Sequence, residues 1–182
     1  YICVKFMQNM RTVLIIGAGR SASSLIQYLI NKSVEEDLHL IIGDLSIESA
    51  RKKTNDHPNT TAIALDIFDQ NQRKEAIQKA DIVISMLPAH LHIEVAKDCI
   101  VYKKHMVTAS YISDEMQELD ALAKENNLIF MNEIGLDPGI DHMSAMKIIH
   151  EIEDKGGKMI LFESFCGGLV APESDTNLWN YK

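Results

Sequence analysis

Residues 12–22, TVLIIGAGRSA, decide the fold. A strand-length apolar run, 12–16, stops at Gly17, and Gly17-Ala18-Gly19-Arg20-Ser21-Ala22 follows in the GxGxxA form of the dinucleotide fingerprint. Residues 21–31 then place Leu25, Ile26, Leu29 and Ile30 on one face of a helix. Strand before and helix after is the context the fingerprint needs. Gly17 permits a tight turn, Gly19 lets a pyrophosphate approach the backbone, and the small Ala22 lets helix pack on strand. The helix start, with Arg20 and Ser21 beside it, offers N–H groups and partial positive charge to the phosphates.

The same rhythm continues outward. Runs of strand length recur at 38–42, 61–67, 81–87, 105–109 and 128–131, and helical periods fill 46–54, 71–79, 92–104 and 113–126. Runs that are apolar throughout, rather than alternating, suit parallel strands buried on both faces. Six strands in βα alternation predict an α/β fold, a Rossmann-like doubly wound parallel sheet. Ser113 reads as an N-cap, while Ser46 and Asp69 leave their caps open. After Met131 the rhythm changes: a turn-rich NEIGLDPG, a helix over 141–155 with Met143, Met146, Ile149 and Ile152 inward, a strand over 159–165, and a Gly/Pro loop, CGGLVAPE, over 166–173. The expected division is a dinucleotide-binding domain over 1–135 and the incomplete beginning of a substrate domain over 136–182.

Asp44, at the end of the second run, lies where a carboxylate accepts hydrogen bonds from the adenosine ribose. A carboxylate there repels a 2'-phosphate, so NAD is preferred over NADP. Arg20 and residues 51–53 weigh the other way, and an N-cap role for Asp44 stays open. Asp66 and Ile67, closing the third run, are expected beside the adenine. Met86, Leu87 and Pro88, at the end of the fourth, are expected on the nicotinamide side. Asp141 and His142 read as structural, Asp141 as an N-cap, and Lys147 reads as a solvated face.

A formal net charge of -8 argues against a nucleic-acid partner. No apolar run reaches a membrane span and residues 1–10 do not form a signal peptide, so no membrane partner is expected. Cys3, Cys99 and Cys166 lie far apart, which fits neither a disulfide framework nor a zinc site. A reducing, cytoplasmic setting and no metal are expected. An exposed apolar surface over 159–165 would favour association, a homodimer being the simplest form.

Four stretches carry a family resemblance: ISMLP over 84–88 with His92 beyond it, VTASY over 107–111, NEIGLDPGIDH over 132–142, and CGGL with APE over 166–173. From about Val13 to its end the chain resembles the saccharopine dehydrogenase family, in particular its glutamate-forming branch. The resemblance implies NAD(P)-dependent oxidation of saccharopine to glutamate and 2-aminoadipate 6-semialdehyde in lysine metabolism. It implies substrate contacts at Ser110, Tyr111 and Asp137, and a cofactor-facing stretch from Leu136 to Pro138. No acid–base residue is assigned by it. Val170 replaces a family proline, and GAGRSA and Asp44 both depart from the fungal pattern, which weakens any carry-over of NADP preference. The family's substrate domain continues past the equivalent of Lys182, so this chain alone is expected to be inactive. Two alternatives stay open: a sibling reductase such as carboxynorspermidine synthase, and a non-enzymatic NAD-binding domain.

Overall fold

The computed structural model describes residues 10–165. In chain order the elements are β1 (Arg11–Ile16), α1 (Ser23–Lys32), β2 (Leu38–Asp44), α2 (Ile47–Thr54), β3 (Thr60–Ala64), α3 (Gln70–Gln78), β4 (Ile82–Ser85), a 3-10 turn (Ala89–Leu91), α4 (His92–Val101), β5 (His105–Thr108), α5 (Asp114–Glu118), α6 (Asp120–Glu125), β6 (Phe130–Met131) and α7 (Ile140–Asp154). The six strands form one parallel sheet in the order β3-β2-β1-β4-β5-β6. The chain moves outward from β1 to β3, then crosses back to lay β4 beside β1. That reversal opens a crevice at the carboxyl ends of β1 and β4, where ligands of open α/β sheets bind.

β1 explains why its sequence is apolar without alternation. Leu14 and Ile16 point into a cluster with Ala76 and Ile77 of α3, Val95 and Cys99 of α4 and Met116 of α5. Val13 and Ile15 point the other way, against Ala22, Ile26 and Ile30 around α1 and Ala50 of α2. A strand buried on both faces has no polar side, and truncating such a residue costs about 2–5 kcal/mol. The caps settle as follows: Ser46 accepts from Ser49 N–H, Asp69 from Asn71 and Gln72, and Ser113 from Met116. Arg73 is buried between α3 and α4, with Nε 2.5 Å from Asp98 Oδ2, its guanidinium also bonded to the Ile67 carbonyl and 3.7 Å from Glu94.

Several elements differ from the sequence expectation. The third strand stops at Ala64, where pairing with β2 ends. Leu65 and Ile67 are apolar because they plug the α3–α4 core, not because the strand continues. The fourth strand covers only 82–85, and Met86 and Leu87 belong to the loop beyond it. The helix expected over 113–126 is broken into α5 and α6 at Leu119, whose φ of -80° and ψ of -8° tighten the turn. In α7, Met143 and Met146 are exposed whereas Ile149 and Ile152 are half-buried, and no residue of the helix is fully buried. Residues 159–165 form no strand: Ile160, Leu161, Phe162 and Phe165 are exposed and no sheet edge pairs with them. The CGGLVAPE stretch lies outside the described residues. Among those described, no helix is long and apolar enough to cross a membrane.

Candidate active site

The phosphate loop is fastened on both sides to the sheet. Gly17 N–H donates to the Gly43 carbonyl of β2, and Met86 N–H donates to the Ile16 carbonyl, each at 2.8 Å. Gly17 turns at φ +105°, and a Cβ there would stand 2.9 Å from the Met86 carbonyl oxygen. Only glycine tolerates both. Gly19 is exposed, and a Cβ there would meet nothing within 4 Å. Arg20 and Ser21 are exposed beside it, and Ala22 is fully buried where α1 meets the sheet.

Asp44 ties this loop to the next one. Its Oδ2 accepts from Ala18 N–H at 2.7 Å and its Oδ1 from Ser46 N–H at 2.9 Å. The N-cap reading of Asp44 is corrected, because Ser46 caps α2. Gly17, Asp44, Asp66, Ile67 and Leu87 line one cavity of about 310 Å³ together with Leu45, Leu65, Phe68 and Leu91. Five of the expected cofactor residues therefore converge there. Asp66 and Ile67 lie beyond β3 rather than closing it, in a turn where Asp66 Oδ1 accepts from Phe68 N–H at 2.9 Å. Phe68 and Leu45, both largely exposed on the rim, were not expected. The only signal for them is their place next to Ile67 and Asp44.

A second cavity, about 260 Å³, lies across the segment that follows β4. Ala89, His90, His92, Ile93, Thr108, Tyr111, Ser113, Glu115, Met116 and Asn132 line it. Segment 86–92 thus separates the two spaces, with Leu87 and Leu91 facing one and Ala89, His90 and His92 facing the other. Of the three residues expected to contact substrate, Tyr111 lines this cavity, while Ser110 and Asp137 do not line it and are bonded to residues that do, His92 and Tyr111. The Tyr111 hydroxyl donates to Asp137 Oδ1 at 2.6 Å, joining the loop after β5 to the turn before α7. Glu133 fastens the same loop: its N–H donates to the Ser110 carbonyl and its Oε1 accepts from Ile112 N–H. Leu136 and Pro138 line neither cavity. They sit in a turn closed by Gly135 N–H on the Pro138 carbonyl and Ile140 N–H on the Gly135 carbonyl. A Cβ on Gly139 would stand 2.2 Å from the Gly135 oxygen, so the turn requires glycine there.

Behind Ser110 lies a polar cluster. His92, 3% exposed, has Nδ1 2.8 Å from Ser85 Oγ, and Nε2 2.8 Å from Ser110 Oγ and 3.1 Å from Thr108 Oγ1. Burial, and secondarily His90, hold the His92 pKa below its ordinary value. The sequence signal is a serine and a threonine ending otherwise apolar strands. Asp141 is not an N-cap, since Gly139 holds that position. Its Oδ1 accepts from Gly139 N–H and contacts His142 Nδ1 at 2.9 Å. Burial opposes its ionisation, but bonds from His142 and Gly139 prevail and lower its pKa. Burial, with Asp98 adding to it, pushes the Cys99 thiol up to about 12, so it serves as an apolar filler.

The comparisons fall on the same residues. The family description "Saccharopine dehydrogenase NADP binding domain" matches residues 13–131, and "Saccharopine dehydrogenase C-terminal domain" matches 135–182. A saccharopine dehydrogenase (NADP(+), L-glutamate-forming) of Pyricularia oryzae is 41% identical over 172 residues, 94% of this chain and 37% of that protein. An alpha-aminoadipic semialdehyde synthase of Arabidopsis thaliana is 37% identical over 93% of this chain and 18% of its own length. The structure of apo saccharopine dehydrogenase (L-Glu forming) from Saccharomyces cerevisiae superposes with a TM-score of 0.81 at 37% identity, over 94% of this chain and 38% of that one. The chain thus spans well under half the length of each.

Proposed function

The chain belongs to the saccharopine dehydrogenase family, and we propose that it forms the cofactor-binding portion of an enzyme that oxidises saccharopine to glutamate and 2-aminoadipate 6-semialdehyde in lysine metabolism. The observation that carries this reading is the Tyr111–Asp137 bond, which brings two remote motifs together across segment 86–92 from the phosphate loop. A bound nicotinamide supplies the hydride acceptor. The chain's residues fit such a group: Gly19 leaves its approach open, Gly17 makes the turn, and Asp44 stands at the ribose corner.

In this reading Gly17, Gly19, Arg20, Ser21 and Ala22 form the phosphate cradle. Asp44, Asp66 and Ile67 hold the adenosine, and Met86, Leu87 and Pro88 border the nicotinamide, with Leu136 and Pro138 beyond. Ser110, Tyr111 and Asp137 hold saccharopine with the carbon on its aminoadipate side against the hydride acceptor. The amine must be neutral to release hydride. Water then adds to the imine carbon, and the nitrogen departs with glutamate. Residues 136–182 begin the substrate domain, whose remainder completes the wall opposite.

The relative named above for NADP(+) is from Pyricularia oryzae, and the family description matching residues 13–131 is itself of an NADP binding domain. For this chain the proposal is NAD, because Asp44 puts a carboxylate where the additional phosphate of NADP would lie. A cytoplasmic setting is part of the same proposal, supported by the scattered cysteines, as is a homodimer, supported by the exposed apolar residues of 160–165. The test is to incubate the enzyme carrying this chain with saccharopine and each dinucleotide, follow reduced nicotinamide by absorbance, and identify the amino-acid product. Glutamate released in equal amount with reduced cofactor is expected. Lysine with 2-oxoglutarate, or no turnover, would overturn the reading.

A further inference from the structure

We propose that His92 is a positioning residue that orients the Ser110 hydroxyl for the substrate and fixes the ends of β4 and β5 beside it. The inference rests on the substrate reading given above for Ser110. Seven polar or charged residues are buried among those described, and Ser85, His92 and Thr108 are three of them. All three gather at one place. Ser85 and Thr108 are the last residues of β4 and β5 and are partners in register, and His92 is the first residue of α4. Apolar side chains would fill these positions without needing hydrogen-bond partners. Here each polar group finds one in the cluster, and no buried side-chain nitrogen or oxygen in the described structure lacks a partner.

His92 and Thr108 also line the second cavity, and Ser110 is the member read above as touching substrate. Ser110 is half-buried, its Oγ is 2.8 Å from His92 Nε2, and its N–H donates to Thr108 Oγ1 at 3.4 Å. Nδ1 on Ser85 fixes the other side of the ring. A ring held at both nitrogens has no freedom to turn, and its Nε2, shared with Thr108 Oγ1 at 3.1 Å, lies nearer to the Ser110 hydroxyl, so the ring fixes where that hydroxyl sits. His92 is 3% exposed and touches the second cavity, but both its ring nitrogens are engaged inside the cluster, which suits it to hold Ser110. It acts on the substrate through Ser110.

The experiment uses the full enzyme carrying this chain: wild type, Ser110→Ala, His92→Phe, His92→Gln and the double variant His92→Phe with Ser110→Ala. KM and kcat for saccharopine and the dinucleotide Kd are measured for each. His92→Phe is expected to lower kcat/KM for saccharopine about tenfold, mostly through KM, with dinucleotide Kd changed by less than about twofold. His92→Gln, which keeps a hydrogen-bonding group on the Ser110 side, restores at least about threefold of that loss. The double variant is expected to be no worse than Ser110→Ala alone. Losses that multiply in the double variant, or a dinucleotide Kd that rises in step with KM, would assign His92 to the scaffold alone and overturn the inference. If His92→Phe does not fold, the comparison of His92→Gln with Ser110→Ala decides on the same KM-against-kcat pattern. A wild type that leaves saccharopine unreacted overturns the substrate reading and this role with it, whereas an active wild type with multiplying losses overturns the role of His92 only.

Discussion

Replacing Gly19 by alanine separates folding from binding at the phosphate loop. In the free protein a Cβ at this position meets no heavy atom within 4 Å, and the backbone there is outside the left-handed region. The folded state therefore accepts the methyl group, and the loss of glycine's freedom in the unfolded chain adds roughly 0.4–1 kcal/mol of stability. That is worth an unchanged or slightly raised Tm, about 1–4 °C for a chain of this size. The same methyl group occupies the space through which a pyrophosphate approaches the backbone. Displacing the phosphates by about 1 Å weakens one or two charge-assisted hydrogen bonds, about 1.5–3 kcal/mol, or about 10–100-fold in Kd. Thermal melting and calorimetric titration with the dinucleotide read the two effects separately. Gly17→Ala is the contrast. With φ at +105° and the Met86 carbonyl oxygen 2.9 Å from the new Cβ, it destabilises the fold by about 1–3 kcal/mol. A Gly19→Ala protein that binds dinucleotide like wild type would refute the reasoning, because the ligand would then not lie on this loop.

Three further outcomes are expected. Asp44→Asn removes the charge at the ribose corner and shifts the ratio of NADP to NAD affinity toward NADP by about tenfold, roughly 1.4 kcal/mol; competitive titration of the two dinucleotides measures it, and an unchanged ratio would clear Asp44 of the selectivity. Arg73→Ala leaves Asp98, with its side chain 12% exposed, facing no guanidinium, which costs about 3–5 kcal/mol and lowers Tm by roughly 10 °C; a smaller drop in Arg73→Ala, Asp98→Leu than in the single variant confirms an uncompensated charge as the cause. His92 titrates below its ordinary 6.5 in the folded state, so on acidification the unfolded chain binds its proton first. The stability that His92 contributes is fully present above that value and is lost as pH falls through the lower folded pKa. Denaturant melts should show this slope in wild type and lack it in His92→Gln, with the lowered carboxylates of Asp69, Glu115 and Asp141 acting only at more acidic pH.

What the sequence made legible follows from how local each signal is. The TVLIIGAGRSA stretch contains its own strand, turn and helix start, and Gly17, Gly19 and Ala22 lie where the fingerprint places them. Strand-length runs identified all six strands but overran the last four; the third and fourth ran on because Leu65, Ile67 and Leu87 are apolar for core or cavity contacts and not for pairing. The break at Leu119 left no mark, since neither proline nor glycine makes it. The stripe of α7 was legible only in part, since Ile149 and Ile152 are half-buried while Met143 and Met146 are exposed. Asp44 was legible as a strand-end carboxylate, whereas its bonds to Ala18 and Ser46 depend on how two loops meet. The His92 cluster was the hardest to foresee. Its four members are spread over residues 85–110 and become a unit only when β4, β5 and α4 converge.

The most direct measurement of the central claim is calorimetric titration of the protein with NAD+ and, separately, with NADP+. Saturable binding of one dinucleotide per chain, tighter for NAD+ than for NADP+, is the predicted result. Binding of neither would contradict the assignment of this crevice as a cofactor site, and binding of NADP+ alone would contradict the role given to Asp44.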